Sequence, residues 1–121
     1  MFALLNRYPY NNGHLMIAPN RHVGELEALR PAEWAGILRM SRQLMRRLRR
    51  TIHPHGFNVG LNLGGAAGAG IPGHLHVHIV PRWNGDTNFL PVIGHTKLVS
   101  QSLEELYALL TRGRRRHAAL Q

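Results

Sequence analysis

From His74 to Ile79 the sequence reads HLHVHI, and this alternation admits essentially one backbone. A period of two belongs to an extended strand, whereas a helix would scatter these side chains around its axis. In a strand, His74, His76 and His78 project to one face and Leu75, Val77 and Ile79 to the other. One face is imidazole and the opposite face is core. The chain must therefore supply a hydrophobic layer beneath this strand and a task for three histidines above it.

The flanking sequence supplies the layer. FALLN (Phe2 to Asn6) and HLMIAP (His14 to Pro19) are short apolar runs joined by RYPYNNG, which is dense in turn residues, so they read as strand, loop and strand. Pro31 suits the first position of a long helix in which Trp34, Ile37, Leu38, Ser41, Leu44, Met45 and Leu48 recur at helical spacing. On its other face Arg39, Arg42, Arg46, Arg47, Arg49 and Arg50 read as a solvated surface rather than a nucleic-acid site. HPHG ends that helix with His53 and His55 at the surface of a turn, and Phe57 to Leu63 reads as another strand. Beyond Trp83, NGDTNF is a turn and LPVIGHTKLV is irregular or weakly extended. Ser102 and Glu105 form a capping box for a final helix with an apolar stripe of Leu103, Leu106, Tyr107 and Leu110. The expected architecture is α+β: an antiparallel sheet of about five strands, one long helix and a C-terminal helix. It forms one domain over residues 1–112, followed by a basic tail over 113–121.

Composition narrows the chemistry. With no cysteine, disulfides, thiolate metal sites and a cysteine nucleophile are excluded. The opening MFALLNRYPYNNGHLMIAP is interrupted too often by Asn, Arg, Pro and Gly for a signal peptide or membrane span, so a soluble, cytoplasmic protein without a membrane partner is expected. The net charge of +9 suggests an anionic partner, although ten of the arginines fall in two clusters, Arg39 to Arg50 and Arg112 to Arg116. The run GGAAGAGIPG, Gly64 to Gly73, is a loop whose backbone N–H groups can approach an anion closely. Within it Gly68, Gly70 and Gly73 match the spacing of a dinucleotide fingerprint, but that fingerprint must open a helix and here a strand follows.

Two chemistries compete for three histidines on one strand face. Three imidazoles could hold zinc, but alternate residues on a strand lie roughly 6.5–7 Å apart. Two from the strand would need a third from elsewhere, His14 or His22. The alternative is covalent catalysis, in which one imidazole attacks with one ring nitrogen while the other is fixed as a donor. Attack on phosphorus suits the adjacent glycine loop, which offers donors to the oxygens where charge accumulates.

GHLHVHIVPRW resembles the signature of the histidine triad (HIT) superfamily, His-x-His-x-His followed by apolar residues. LLNRYPYNNGHLMIAPNRHVGELEAL resembles that family's substrate-pocket strands and loop. GFNVGLNLGGAAGAGIPGHLHVHIVPRWNGDTNF resembles its diadenosine tetraphosphate phosphorylase or hydrolase branch. The resemblance covers roughly residues 2 to 110. It implies a HIT-like fold and a nucleotide-binding enzyme that cleaves adenosine-containing phosphoanhydrides through a nucleotidyl-histidine intermediate. His76 is then the nucleophile, His74 orients the site, and His78 contacts the phosphate and assists the bridging oxygen. His14 matches a fourth histidine bordering the triad, Asn6 a residue at the ribose, and Asn62 the polar position before the phosphate loop of Gly68, Gly70 and the Ile71 backbone. The resemblance implies no protein-bound metal or required cofactor, beyond a divalent metal accompanying the nucleotide. It also implies a homodimer. Whether water or phosphate releases the adenylate is left open, as are a catalytically impaired nucleotide-binding module and a His-ligated metal-dependent hydrolase.

Two departures from the family pattern carry expectations. Ile71 stands where many members have Ser or Thr, so only its backbone N–H can serve the phosphate. Members of this branch also have several dozen residues before the LLN strand, including part of the base pocket and sometimes a cysteine-containing zinc site. Without them a weakened base pocket and an exposed sheet edge are expected, and such an edge promotes pairing with a second chain.

Overall fold

The computed structural model describes residues 1–87 and 101–112. Four strands lie among them: β1 (Phe2–Leu5), β2 (Leu15–Ala18), β3 (Gly56–Leu61) and β4 (Val77–Arg82). Helix α1 (Pro31–Ile52) connects β2 to β3, and α2 (Leu103–Thr111) ends the described chain. The sheet is antiparallel with the order β1-β2-β4-β3. That is four strands among the described residues where about five were expected; the run LPVIGHTKLV and the basic tail lie outside the described residues.

Register turns the alternation of β4 into two different surfaces. Leu15 pairs with Ile79, and Ile17 with Val77, so these four side chains share one face, and all are buried. Against them α1 sets Ile37 and Leu48, and α2 adds Leu106 and Leu110. Burying each such aliphatic side chain contributes about 1.5–3 kcal/mol, which makes this layer the main source of stability. Phe2, Leu4, Met16, Gly60 and His78 occupy the other face, since Leu4 pairs with Met16, and Met16 and Gly60 both pair with His78.

The strand ladder begins at Val77 rather than at His74 for a local reason. Extending the β2–β4 register would place Leu75 opposite Pro19, which has no N–H to donate. Leu75 instead donates its N–H to the Val23 carbonyl at 2.7 Å, and His74 donates to the Ile71 carbonyl at 3.3 Å. Leu75 remains buried, so the in-out alternation persists past the end of the ladder.

Pro31 opens α1, where the Arg30 N–H donates to Glu33 Oε1 at 2.9 Å, and Glu33 is held in turn by Arg21 at 2.7 Å. The helix ends at His53, whose φ of 50° lies in the left-handed region. The Trp83 indole N–H donates to the His53 carbonyl at 3.1 Å, and the Asn84 N–H to His55 Nδ1 at 2.8 Å, so Trp83 ties the turn after β4 to the end of α1. Arg39, Arg42, Arg46, Arg49 and Arg50 are exposed, as expected of a solvated face. Three apolar positions depart from the expected stripes. Trp34 and Leu38 on α1 and Tyr107 on α2 are exposed, because the seams that meet the core are narrow: Ile37, Ser41 and Leu48 on one helix, Leu106 and Leu110 on the other. No helix among the described residues is long and apolar enough to cross a membrane.

Gly13 holds the entry to β2 at φ +81°, and a Cβ there would stand 2.7 Å from Ile52 Cδ1 and 3.0 Å from Pro81 Cγ. The left-handed backbone alone costs an L-residue roughly 1–2 kcal/mol, and the contact with the core adds to it. Gly13→Ala is expected to lower the free energy of unfolding by about 2 kcal/mol or more. Urea denaturation at neutral pH measures this, and an unchanged midpoint would contradict the packing described.

Candidate active site

Four histidines converge on the face of the sheet away from α1, and main-chain groups assign their protons. The Tyr10 N–H approaches His14 Nδ1 at 3.1 Å. A backbone N–H can only donate, so His14 Nδ1 bears a lone pair and Nε2 carries the proton. His14 Nε2 lies 2.7 Å from His78 Nδ1 and donates to it, which leaves the His78 proton on Nε2. His76 Nδ1 is 3.0 Å from the His74 carbonyl, which can only accept, so Nδ1 donates and Nε2 bears the lone pair. His74 Nε2 donates to the Pro19 carbonyl at 2.9 Å, the group at which β2 leaves the ladder. The His76 and His78 rings meet edge to face at 4.9 Å between centroids.

Burial keeps the inner pair neutral. His14 is 1% exposed. Desolvation first, and then the proximity of His78 and His76, push its pKa from 6.5 down to about 4. His78 is lowered as well, chiefly by burial and then by His76. At neutral pH, therefore, His78 presents a polarised N–H rather than a positive charge.

Beside His74 and His76 opens a cavity of about 180 Å³ lined by Phe2, Leu4, Met16, Ala18 and Ile71 as well as the two imidazoles. Its apolar wall is the outward face of β1 and β2, set by the same register that buries Leu15 and Ile17. Ile71 brings the glycine loop to this cavity. Upstream in that loop, Gly64 (φ +79°) and Gly68 (φ +88°) bracket a short turn, Gly65–Ala67, both at positive φ, which glycine tolerates. Asn62 leads into the loop with its amide nitrogen 3.9 Å from where a Cβ on Gly68 would lie, while Gly70 has open space on its Cβ side. Asn6 spans the β1–β2 loop: its Oδ1 accepts the Tyr8 N–H at 2.9 Å and its Nδ2 points to His14 Nδ1 at 3.4 Å.

The two other candidate ligands part company. His22 packs edge-on against His74 at 5.1 Å between centroids, whereas both ring nitrogens of His14 are engaged by Tyr10 and His78. Among the described residues no three His, Asp or Glu side chains are grouped to hold a metal ion. Residues the motif does not name complete the arrangement. Asn11 is buried, and its Nδ2 donates to the Pro81 carbonyl at 3.0 Å and to Asp86 Oδ2 at 2.8 Å. Asp86 also grips Arg82 at 2.6 and 2.9 Å, which holds its carboxyl far below the usual range. The loop bearing Tyr10 is thereby fastened to the end of the strand bearing His78. The Tyr10 contribution is a main-chain N–H, which no residue pattern announces.

The HIT domain profile matches residues 1–85. The chain is 49% identical over 110 residues to a Mycobacterium tuberculosis protein named AP-4-A phosphorylase, which covers 91% of this chain and 56% of that protein. It is 32% identical over 84 residues to the asymmetrical bis(5'-nucleosyl)-tetraphosphatase of Schizosaccharomyces pombe, covering 69% of this chain and 46% of that one. The chain thus spans about half the length of these curated relatives. Among solved structures, a zinc-bound histidine triad family protein from Mycobacterium smegmatis superposes with a TM-score of 0.74 at 27% identity, covering 98% of this chain and 81% of that one.

The depressed pKa of His14 sets a pH dependence. Between pH 6.5 and about 4 the unfolded chain holds a proton on His14 that the native chain does not. Stability must therefore fall with pH across that window, by about 3 kcal/mol in total, with no further loss from this group below it. Urea titrations at pH 7 and pH 4.5 should show most of this loss in the wild type, and His14→Asn should lose less over the same interval. Equal slopes in the two proteins would show that His14 is not buried as a neutral ring.

Proposed function

We propose, for a chain that belongs to the HIT domain family, the cleavage of adenosine-containing phosphoanhydrides such as diadenosine tetraphosphate through a nucleotidyl-histidine intermediate at His76. The observation that carries this reading is the His76–His74 carbonyl hydrogen bond of 3.0 Å, which leaves a lone pair on Nε2 of an imidazole that lines the apolar cavity. Nε2 attacks the α-phosphorus, the bond from phosphorus to the bridging oxygen breaks, and the rest of the polyphosphate leaves with the electron pair. No proton moves in this step. His76 keeps Nδ1–H, and the positive charge gained by its ring is met by the His74 carbonyl. The His78 Nε2–H can give a hydrogen bond to the departing oxygen, while backbone N–H groups of the loop from Gly68 to Ile71 can serve the non-bridging oxygens. The adenine would lie in the cavity lined by Phe2, Leu4 and Met16. A second nucleophile then breaks the N–P bond and restores the lone pair; the name of the 49% identical relative supports phosphate in that role. The scheme needs no resident cofactor, and a divalent cation would enter with the polyphosphate.

Intact-protein mass spectrometry after brief exposure to diadenosine tetraphosphate, quenched without acid, tests the scheme. One adenylate should add to the wild type and none to His76→Ala; turnover retained by His76→Ala would end the proposal.

The same proposal includes a second copy of the chain. Strand β3 pairs with β4 on one side and, among the described residues, with no strand on the other. Next to that open edge Leu38 is 67% and Val59 51% exposed. Unpaired backbone groups beside exposed aliphatic side chains favour pairing with a like strand. Light scattering after gel filtration should give twice the chain mass, and Val59→Lys should shift the protein toward monomer; a monomeric wild type would refute the dimer.

A further inference from the structure

The apolar cavity lies at one end of the row of imidazoles, and a second surface stands at the other end. The cavity touches His74 and His76, His76 meets His78, and the Tyr10 ring stacks on His78 at 5.7 Å between centroids with an interplanar angle of 18°. Tyr10 is nevertheless 56% exposed, and Tyr8, two residues away, is 78% exposed with the Arg7 guanidinium 5.9 Å from its ring centre. Exposed aromatic rings on a loose loop would call for no explanation. This loop is fastened at three points: the Tyr8 N–H to Asn6, the Tyr10 N–H to His14, and Asn11 to Pro81 and Asp86. Pro9 further restrains the backbone between the two rings. The backbone carrying the two rings is therefore fixed while both rings remain exposed, Tyr10 with one face against His78, which is the condition under which stacking with a ligand costs least in ordering.

We propose that Tyr10, with Tyr8 at its edge, forms the subsite for the leaving group, stacking the second nucleobase of a dinucleoside polyphosphate whose first nucleoside occupies the cavity beside His76. The assignment rests on the function proposed above and adds a specificity element to it. A chain of phosphates running from His76 past His78 leads to this aromatic surface, with the Arg7 guanidinium beside it to meet negative charge. Stacking of a base on an aromatic side chain is sequence-tolerant, so the subsite would select for a second nucleoside without demanding one particular base.

The test compares two ligands in a non-reacting background. Calorimetric titrations of His76→Ala with diadenosine tetraphosphate and with adenosine 5'-tetraphosphate measure binding with and without the second nucleoside. Adding Tyr10→Ala should weaken the dinucleotide roughly tenfold and leave the mononucleotide within about twofold, whereas Tyr10→Phe should change neither. Tyr8→Ala, at a side chain too exposed to disturb folding, should give a selective loss of a few-fold and decides the matter if Tyr10→Ala does not fold. Equal losses for both ligands would mean that Tyr10 only braces His14, and no loss, or no binding of either ligand, would likewise overturn the subsite. A selective loss in a chain that forms no adenylate adduct would keep the subsite and reject the covalent chemistry, so the two readings fail separately.

Discussion

The amide N–H of Tyr10 can give a hydrogen bond but cannot take one, and the tautomers of two histidines follow from that fact. His14 must accept at Nδ1 and donate at Nε2; His78 must accept at Nδ1 and keep its proton on the far nitrogen. The carbonyls of His74 and Pro19 impose the opposite rule on the other two rings, because a carbonyl can only accept. Side-chain partners such as carboxylates would have brought charge into the site and made these protons pH-sensitive near neutrality. Main-chain partners set direction without charge, and burial does the rest by keeping His14 and His78 unprotonated.

The same strand also anchors the hydrophobic core. Every second residue of β4 lies under α1, so the histidine face cannot turn toward the helix without taking Val77 and Ile79 out of the core. Side-chain direction at the site is thus stabilised by burial on the opposite face of the sheet. Gly60 pairs with His78 in the neighbouring strand, and open space remains on its Cβ side, so β3 leaves the histidine face uncovered there.

Much of this was legible before any coordinates. The alternation from His74 to Ile79 announced the two-faced strand, Pro31 and the spacing after it announced α1, and Ser102 does cap α2 by accepting the Glu105 N–H at 3.2 Å. Periodicity was less reliable for the breadth of a buried stripe. Trp34, Leu38 and Tyr107 share the helical spacing but fall outside the narrow seams that meet the sheet and the other helix. The partners of His14 could not be read at all, since a backbone N–H belongs to every residue and only the turn geometry of the β1–β2 loop decides which one points inward. The Asn11–Asp86 link joins residues 75 apart, with no local pattern to connect them.

That separation bears on how the protein comes into being. His14 and His78 are 64 residues apart in sequence, with α1 and β3 between them. Closing a flexible segment of that length costs roughly 4 kcal/mol of chain entropy before the contact gives anything back. The imidazole pair therefore forms only in a chain already brought together by the layer beneath it. During synthesis, a nascent chain that has not yet emerged past β4 holds His14 without its partner, so the paired imidazoles are withheld until the layer beneath them is in place.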